Sequence, residues 1–188
     1  MRSTGLATAA LMAGLLVVTA CAGPSAPDRP LAALYEPPST LDMRVGIRSD
    51  NSLPSQLYGG AVIDDLKQMQ LFSELISPYN KSAGMDVKLR LFIERTESDD
   101  LDQFVLGLVP TGRPIAGAFA SPDPLISTSL PVGADVGSGI IGTLEAAAPG
   151  WTQFHARRLA NALAEKIWQD RETLLPKLRA AAENGGDD

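Results

Sequence analysis

The sequence predicts an α/β fold of the α+β kind: a β-α-β-β core with helices on a small mixed sheet, a long irregular stretch and a C-terminal helix. Three patterns carry that expectation. Met43, Val45 and Ile47 alternate with Asp42, Arg44, Gly46 and Arg48, the period of a half-buried strand. Tyr58, Val62, Leu66 and Met69 recur at helical spacing, so the segment around them has one apolar face. Further on, Met85, Val87, Leu89, Leu91 and Ile93 alternate with Asp86, Lys88, Arg90, Phe92 and Glu94, a long amphipathic strand.

Taken in order, the folded part begins near Leu41 with the first strand. A helix follows over 55–70, its first turn weakened by Gly59-Gly60. Leu71 to Ile76 is a short strand closed by Ser77-Pro78, and Asn80 to Gly84 reads as a turn. That turn predicts the strand at 85–94 to run antiparallel to the one at 71–76. At the far end, 152–173 places Ala156, Leu159, Leu163 and Ile167 on one helical face, with Pro176 ending or kinking the helix.

Between these elements, Phe104 to Leu144 carries only Arg113, Asp123 and Asp135 as charges, among many glycines and prolines. Disorder normally comes with charge and low hydrophobicity, so this stretch is expected to pack on something. Val105 to Val109 is continuously apolar where a barrel strand alternates, and Pro110, Pro114, Pro122, Pro124 and Pro131 interrupt any run. The expectation is an irregular prolyl-glycyl stretch over 104–150, packed on the domain or on a partner, with no transmembrane role. The domain as a whole is expected over 41–183, with 184–188 a disordered tail.

The N-terminus carries an address. Arg2 is the only charge before Asp28, and Leu6 to Val18 is strongly apolar, the layout of a secretory signal peptide. Val18-Thr19-Ala20-Cys21 resembles the lipobox of bacterial lipoproteins. That resemblance implies cleavage after residue 20, a diacylglycerol on the Cys21 thiol and acylation of the new amine. Cys21 is the only cysteine, so lipidation also accounts for an odd thiol in a secreted chain, and no internal disulfide is available. Two or three acyl chains anchor a protein almost permanently, at about 0.8 kcal/mol per buried CH₂. Ala22 stands where an aspartate commonly retains lipoproteins in the inner membrane, so the periplasmic face of an outer membrane is expected. Residues 21–40, with five prolines between Ala22 and Ser39, read as a flexible tether. Loss of Arg2 with the signal peptide takes the formal charge from −6 to −7, which argues against nucleic acid as a partner.

The lipobox, the first strand, the helix leading into Leu71 to Ile76, the long alternating strand and Leu106-Gly-Leu-Val-Pro110 resemble small envelope lipoproteins of the curli-secretion-lipoprotein and TolB amino-terminal-domain type. The resemblance covers roughly 41–110 and 152–175. It implies helices covering one face of a sheet and participation in envelope assemblies, and it transfers no catalytic residue.

Reactive chemistry has few candidates. Nucleophilic catalysis by serine or cysteine normally needs a histidine base, and His155 is the only histidine; beside Arg157 and Arg158 it reads as a helix-surface residue. One histidine and one lipidated cysteine make no zinc site. Glu94, Glu97, Asp99, Asp100 and Asp102 lack the spacing of a calcium loop and read as a solvated strand end. Gly137-Ser-Gly139 with Gly142 lacks the lysine of a phosphate loop. No cofactor and no metal are expected. The chain is expected to be a non-catalytic accessory lipoprotein that binds envelope proteins, held to the membrane by the lipid on Cys21. A carrier for an apolar ligand such as a lipid, lined by 104–144, is the alternative.

Overall fold

Leu41–Ser49 form β1, and the alternation read from the sequence is the burial observed: Met43, Val45 and Ile47 are buried while Asp42, Arg44 and Arg48 are exposed. The computed structural model describes residues 30–79, 84–97, 102–111, 124–131 and 149–184. After β1 come α1 (Leu53–Gln68), β2 (Phe72–Ile76), β3 (Val87–Glu97), β4 (Asp102–Pro110), β5 (Ile126–Pro131), α2 (Pro149–Gln169) and α3 (Arg171–Asn184). The strands make one mixed five-stranded sheet in the order β2-β1-β3-β4-β5. The α+β class expected from the sequence is the class observed.

The sheet is wired differently from expectation. β1 pairs parallel with β2 on one side and parallel with β3 on the other, so β2 and β3 are neither neighbours nor antiparallel. The segment between them crosses β1 instead of turning back. Tyr79 and Met85, from the two ends of that crossing, pack onto Gly46, where any Cβ would collide with them. Turn-like composition marks where a chain changes direction, and it does not distinguish a hairpin from a crossover.

The irregular stretch expected over 104–150 is also corrected. Its first residues belong to β4, which pairs antiparallel with β3 from Leu89↔Pro110 to Glu97↔Asp102, and a middle portion forms β5, antiparallel to β4. The continuous run Val105 to Val109 is what a strand covered on both faces looks like. Leu106 and Leu108 are buried in the main core, while Gly107 and Val109 are buried on the other face. Pro110 and Pro131 close their strands, and β5 is an edge, where proline removes no needed ladder bond. Residues 112–123 and 132–148 of that stretch lie outside the described residues.

One core joins the sheet to the helices. Val45, Ile47, Leu89, Leu91, Ile93 and Leu106 are fully buried against Val62 and Leu66 of α1, Leu159, Leu163 and Ile167 of α2, and Leu174 and Leu178 of α3. Each such side chain contributes roughly 1.5–3 kcal/mol on leaving water. At the end of β1, the N-cap Ser52 and Ser55 of α1 take over from the strand. Ser55 Oγ accepts from Ile93 N at 2.7 Å, and Ser52 Oγ donates to Ile93 O at 3.0 Å. Those two bonds satisfy β3 where β1 has ended, which buried backbone requires.

The C-terminal helix expected over 152–173 is two helices, and Pro176 lies inside the second. The break falls at Asp170, whose carbonyl accepts from Leu174 N at 2.8 Å and Thr173 N at 3.0 Å. Starting α3 there places Pro176 early in the helix on its exposed side, at the loss of one backbone bond.

Candidate functional site

His155 does not occupy the helix surface that the sequence suggested. It is 3% exposed, enclosed by Tyr58 of α1 at 6.1 Å, Phe104 of β4 at 6.2 Å and Phe154 at 5.6 Å between ring centroids. Ala156 and Leu159 set the buried face of α2, and His155, one position before Ala156, shares its inward rim. Burial, and then the charge of neighbouring Arg158, pull its imidazole from the ordinary 6.5 down to about 4. At neutral pH it is an uncharged aromatic filling a three-element junction.

A second polar feature ties the helices to the segment before β1. Arg157 holds Asp65 bidentately, Nε to Oδ2 at 2.8 Å and a terminal nitrogen to Oδ1 at 3.0 Å. Asp65 is 1% exposed and its partner 14%, so the pair is nearly dry. The other terminal nitrogen donates to Ala32 O at 3.1 Å. Asn161 completes the clamp, donating to Ala33 O at 2.8 Å and accepting from Tyr35 N at 3.0 Å. Burial, with the nearby Glu165 carboxylate, raises the pKa of Tyr35. Residues 32–35 of the expected tether are therefore held along the helix layer by α2.

The opposite face of the sheet carries none of the three helices. Arg44, Arg48, Lys88 and Arg90 point to it, with Gly46, Phe92, Gly107 and Val109 between and beside them. Phe92 and Val109 are buried there yet stand apart from the main core. The ring of Phe92 lies over Gly107, where an added Cβ would come within 2.8 Å of it. Arg44 is paired with Glu74 at 2.7 Å, and its backbone N–H is held by Asp86 Oδ2 at 2.7 Å. The alternation in the sequence put each of these cations on a polar face, but the expected antiparallel pairing kept β1 and β3 apart. Only the parallel β1–β3 register brings Arg48 and Arg90 side by side. Nothing in the sequence singled out the Asp65–Arg157 pair, because its members lie 92 positions apart.

A groove of about 370 Å³ runs along the free edge of β2, lined by Thr40, Lys67, Gln70 and Glu74 as well as Leu66 and Phe72. None of its lining comes from 104–144. Among the described residues no group of three potential metal ligands gathers, and no helix is long and apolar enough to cross a membrane. Cys21 and residues 1–20, read from the sequence as a signal peptide, lie outside the described residues, as do Asp99, Asp100 and the glycines at 137, 139 and 142.

No protein-family model matches this chain, and no curated protein is similar to it in sequence. Among solved structures, the crystal structure of protein XCC0632 from Xanthomonas campestris, assigned to family DUF330, is distantly similar. It shares 10% identity at a TM-score of 0.40, over 77% of this chain and 96% of that one. A likeness this remote assigns neither fold nor function.

Proposed function

We propose that this chain is a lipid-anchored, non-catalytic accessory lipoprotein of the bacterial envelope, held by lipid on Cys21 to the periplasmic face of the outer membrane, whose domain binds other envelope proteins. The observation that carries this reading is two-sidedness. Residues 32–35 are clamped to the helix layer by Arg157 and Asn161, while the sheet face opposite carries none of the described helices and sets exposed Arg48 beside half-buried Arg90. Arginine is enriched at protein–protein interfaces. The burial of His155 adds support, since a general base must reach its substrate. The alternative, a carrier of apolar ligand, draws nothing from the groove beside β2, half of whose lining is polar; ligand pockets are mostly apolar.

The anchor is tested by Cys21→Ser, which is expected to give an uncleaved or soluble product because serine forms no thioether. A product of normal size that still partitions into detergent overturns the lipoprotein reading. The role is tested by crosslinking in intact membranes followed by purification of the chain. A reproducible protein partner is expected, and repeated failure to capture one overturns it.

A further inference from the structure

Arg157 and Asn161 stand one turn apart on α2 and grip the chain ahead of β1 by its backbone. Arg157 donates to Ala32 O, and Asn161 donates to Ala33 O while accepting from Tyr35 N. Around those bonds Ala32, Ala33, Glu36, Pro38 and Ser39 are exposed, and Leu34 and Tyr35 are only half-buried against the core. A second fastening follows a few residues on. Thr40 Oγ1 donates to Gln70 O at 3.1 Å, and Leu41 N donates to Leu71 O at 2.8 Å.

The two fastenings differ in what depends on them. Undoing the second would begin to strip β1 from β2. Undoing the first hands surface backbone groups to water, which bonds them in turn. Arg157 keeps both its bonds to Asp65 when Ala32 O departs, so no buried charge loses its partner. A segment with so few buried apolar contacts opens far more readily than a core strand. Length gives that opening a consequence. From Cys21 to Ala32 the chain spans at most about 36–40 Å, at roughly 3.3–3.6 Å per residue. With the first fastening undone, residues 32–39 join that span and add up to about 26–29 Å. Pro37-Pro38, with φ fixed by their rings, favour an extended run there.

We propose that residues 32–35 are a releasable strap: Arg157 and Asn161 hold the tether short, and letting go extends the reach of the domain from its lipid anchor with the fold intact. This rests on the lipoprotein reading above and adds a two-state device to it. The test is hydrogen exchange of the lipidated full-length chain in neutral detergent, read by fragment mass spectrometry at the Tyr35 amide. Intact mass is measured first, and an unmodified Cys21 removes the anchor together with the strap's role. In the lipidated chain, Tyr35 is expected to exchange more slowly than an unstructured peptide, faster than the β1 amides, and without response to mild urea. Exchange at the β1 rate makes the segment part of the global fold, and exchange at the unstructured rate means that nothing holds it. Either result overturns the strap and leaves the anchor standing.

Asn161→Ala should speed exchange at Tyr35 about tenfold or more, in keeping with the loss of two hydrogen bonds. The β1 amides and the urea midpoint should not move. If β1 exchange rises in step with Tyr35, the strap does not open on its own and the proposal fails. Reach is read in phosphatidylcholine vesicles, by energy transfer to acceptor lipids from a dye on Lys177→Cys, an exposed position of α3. Adding Leu34→Ser to Asn161→Ala removes a packed side chain as well, and is expected to bring Tyr35 to the unstructured rate and to lower the transfer. Tyr35 still protected in that chain overturns the assignment of the contacts that hold the strap. Unchanged transfer with Tyr35 fully open overturns the control of reach.

Discussion

At the scale of single residues, the largest local stake is Asp65. A carboxylate 1% exposed is tolerable only while Arg157 neutralises it. Breaking a buried pair by removing one member costs about 3–5 kcal/mol, while replacing both by apolar groups is often neutral. Arg157→Ala should therefore lower the unfolding free energy by about that amount in urea titrations, and adding Asp65→Leu should recover most of it. Arg157 also holds Ala32 O, so the single variant should release the segment before β1 to proteolysis between residues 30 and 36. Gln70 is a smaller opportunity. It ends α1 at φ 52°, a left-handed conformation that glycine adopts freely. Gln70→Gly is expected to add about 0.5–1 kcal/mol, read as a higher urea midpoint with unchanged slope.

Among elements, β3 carries the sharpest contrast. Leu89 is fully buried between α-helices and sheet, and Arg90 next to it is half-buried on the opposite side of the sheet. Leu89→Asp buries an unpaired carboxylate and should cost about 4 kcal/mol or more, against about 1 kcal/mol or less for Arg90→Asp. Equal losses in thermal melts would mean that Arg90 matters to the fold as much as the core face of β3 does. In β4, Gly107→Val meets Ile126 O at 2.5 Å and the Phe92 ring at 2.8 Å from the first added carbon. Overpacking of this kind costs about 1–3 kcal/mol, and backbone contact removes the easy escape. These strands also mark what was legible in the sequence. Period-two alternation gave β1 and β3 their buried faces, since one covered face imposes the pattern. β4 escaped because burial on both faces erases alternation, and β5 because Ser127 and Ser129 on an edge look like loop. Pairing partners were misread for a related reason: register comes from long-range contacts, and the composition of 80–84 speaks only for its own few residues. The meeting of Arg48 and Arg90 inherited that blindness, each being visible singly and their adjacency depending on which strands pair.

Considered as a whole, the molecule is a helix layer closed onto a sheet, and His155 sits where α1, β4 and α2 meet, against Tyr58 and Phe104. The sequence suggested a surface histidine because two arginines follow it; the three-dimensional junction turns it inward. Its neutral form is the one the fold accommodates, with the folded pKa at about 4 against an ordinary 6.5. A base whose pKa is depressed by folding binds protons more readily when unfolded. Its contribution is thus complete above pH 6.5, declines as pH falls below that, and is fully lost near pH 4. At 1.36 kcal/mol per unit, the loss is up to about 3 kcal/mol. Melting temperature measured from pH 7 to pH 4 should therefore fall more steeply in the native chain than in His155→Phe, which fills the same space without a titrating group. Carboxylate titrations common to both chains cancel in that comparison, leaving the histidine. Parallel curves over the whole range would place the imidazole in contact with solvent, and the helix layer would then have no acid-sensitive junction at this point.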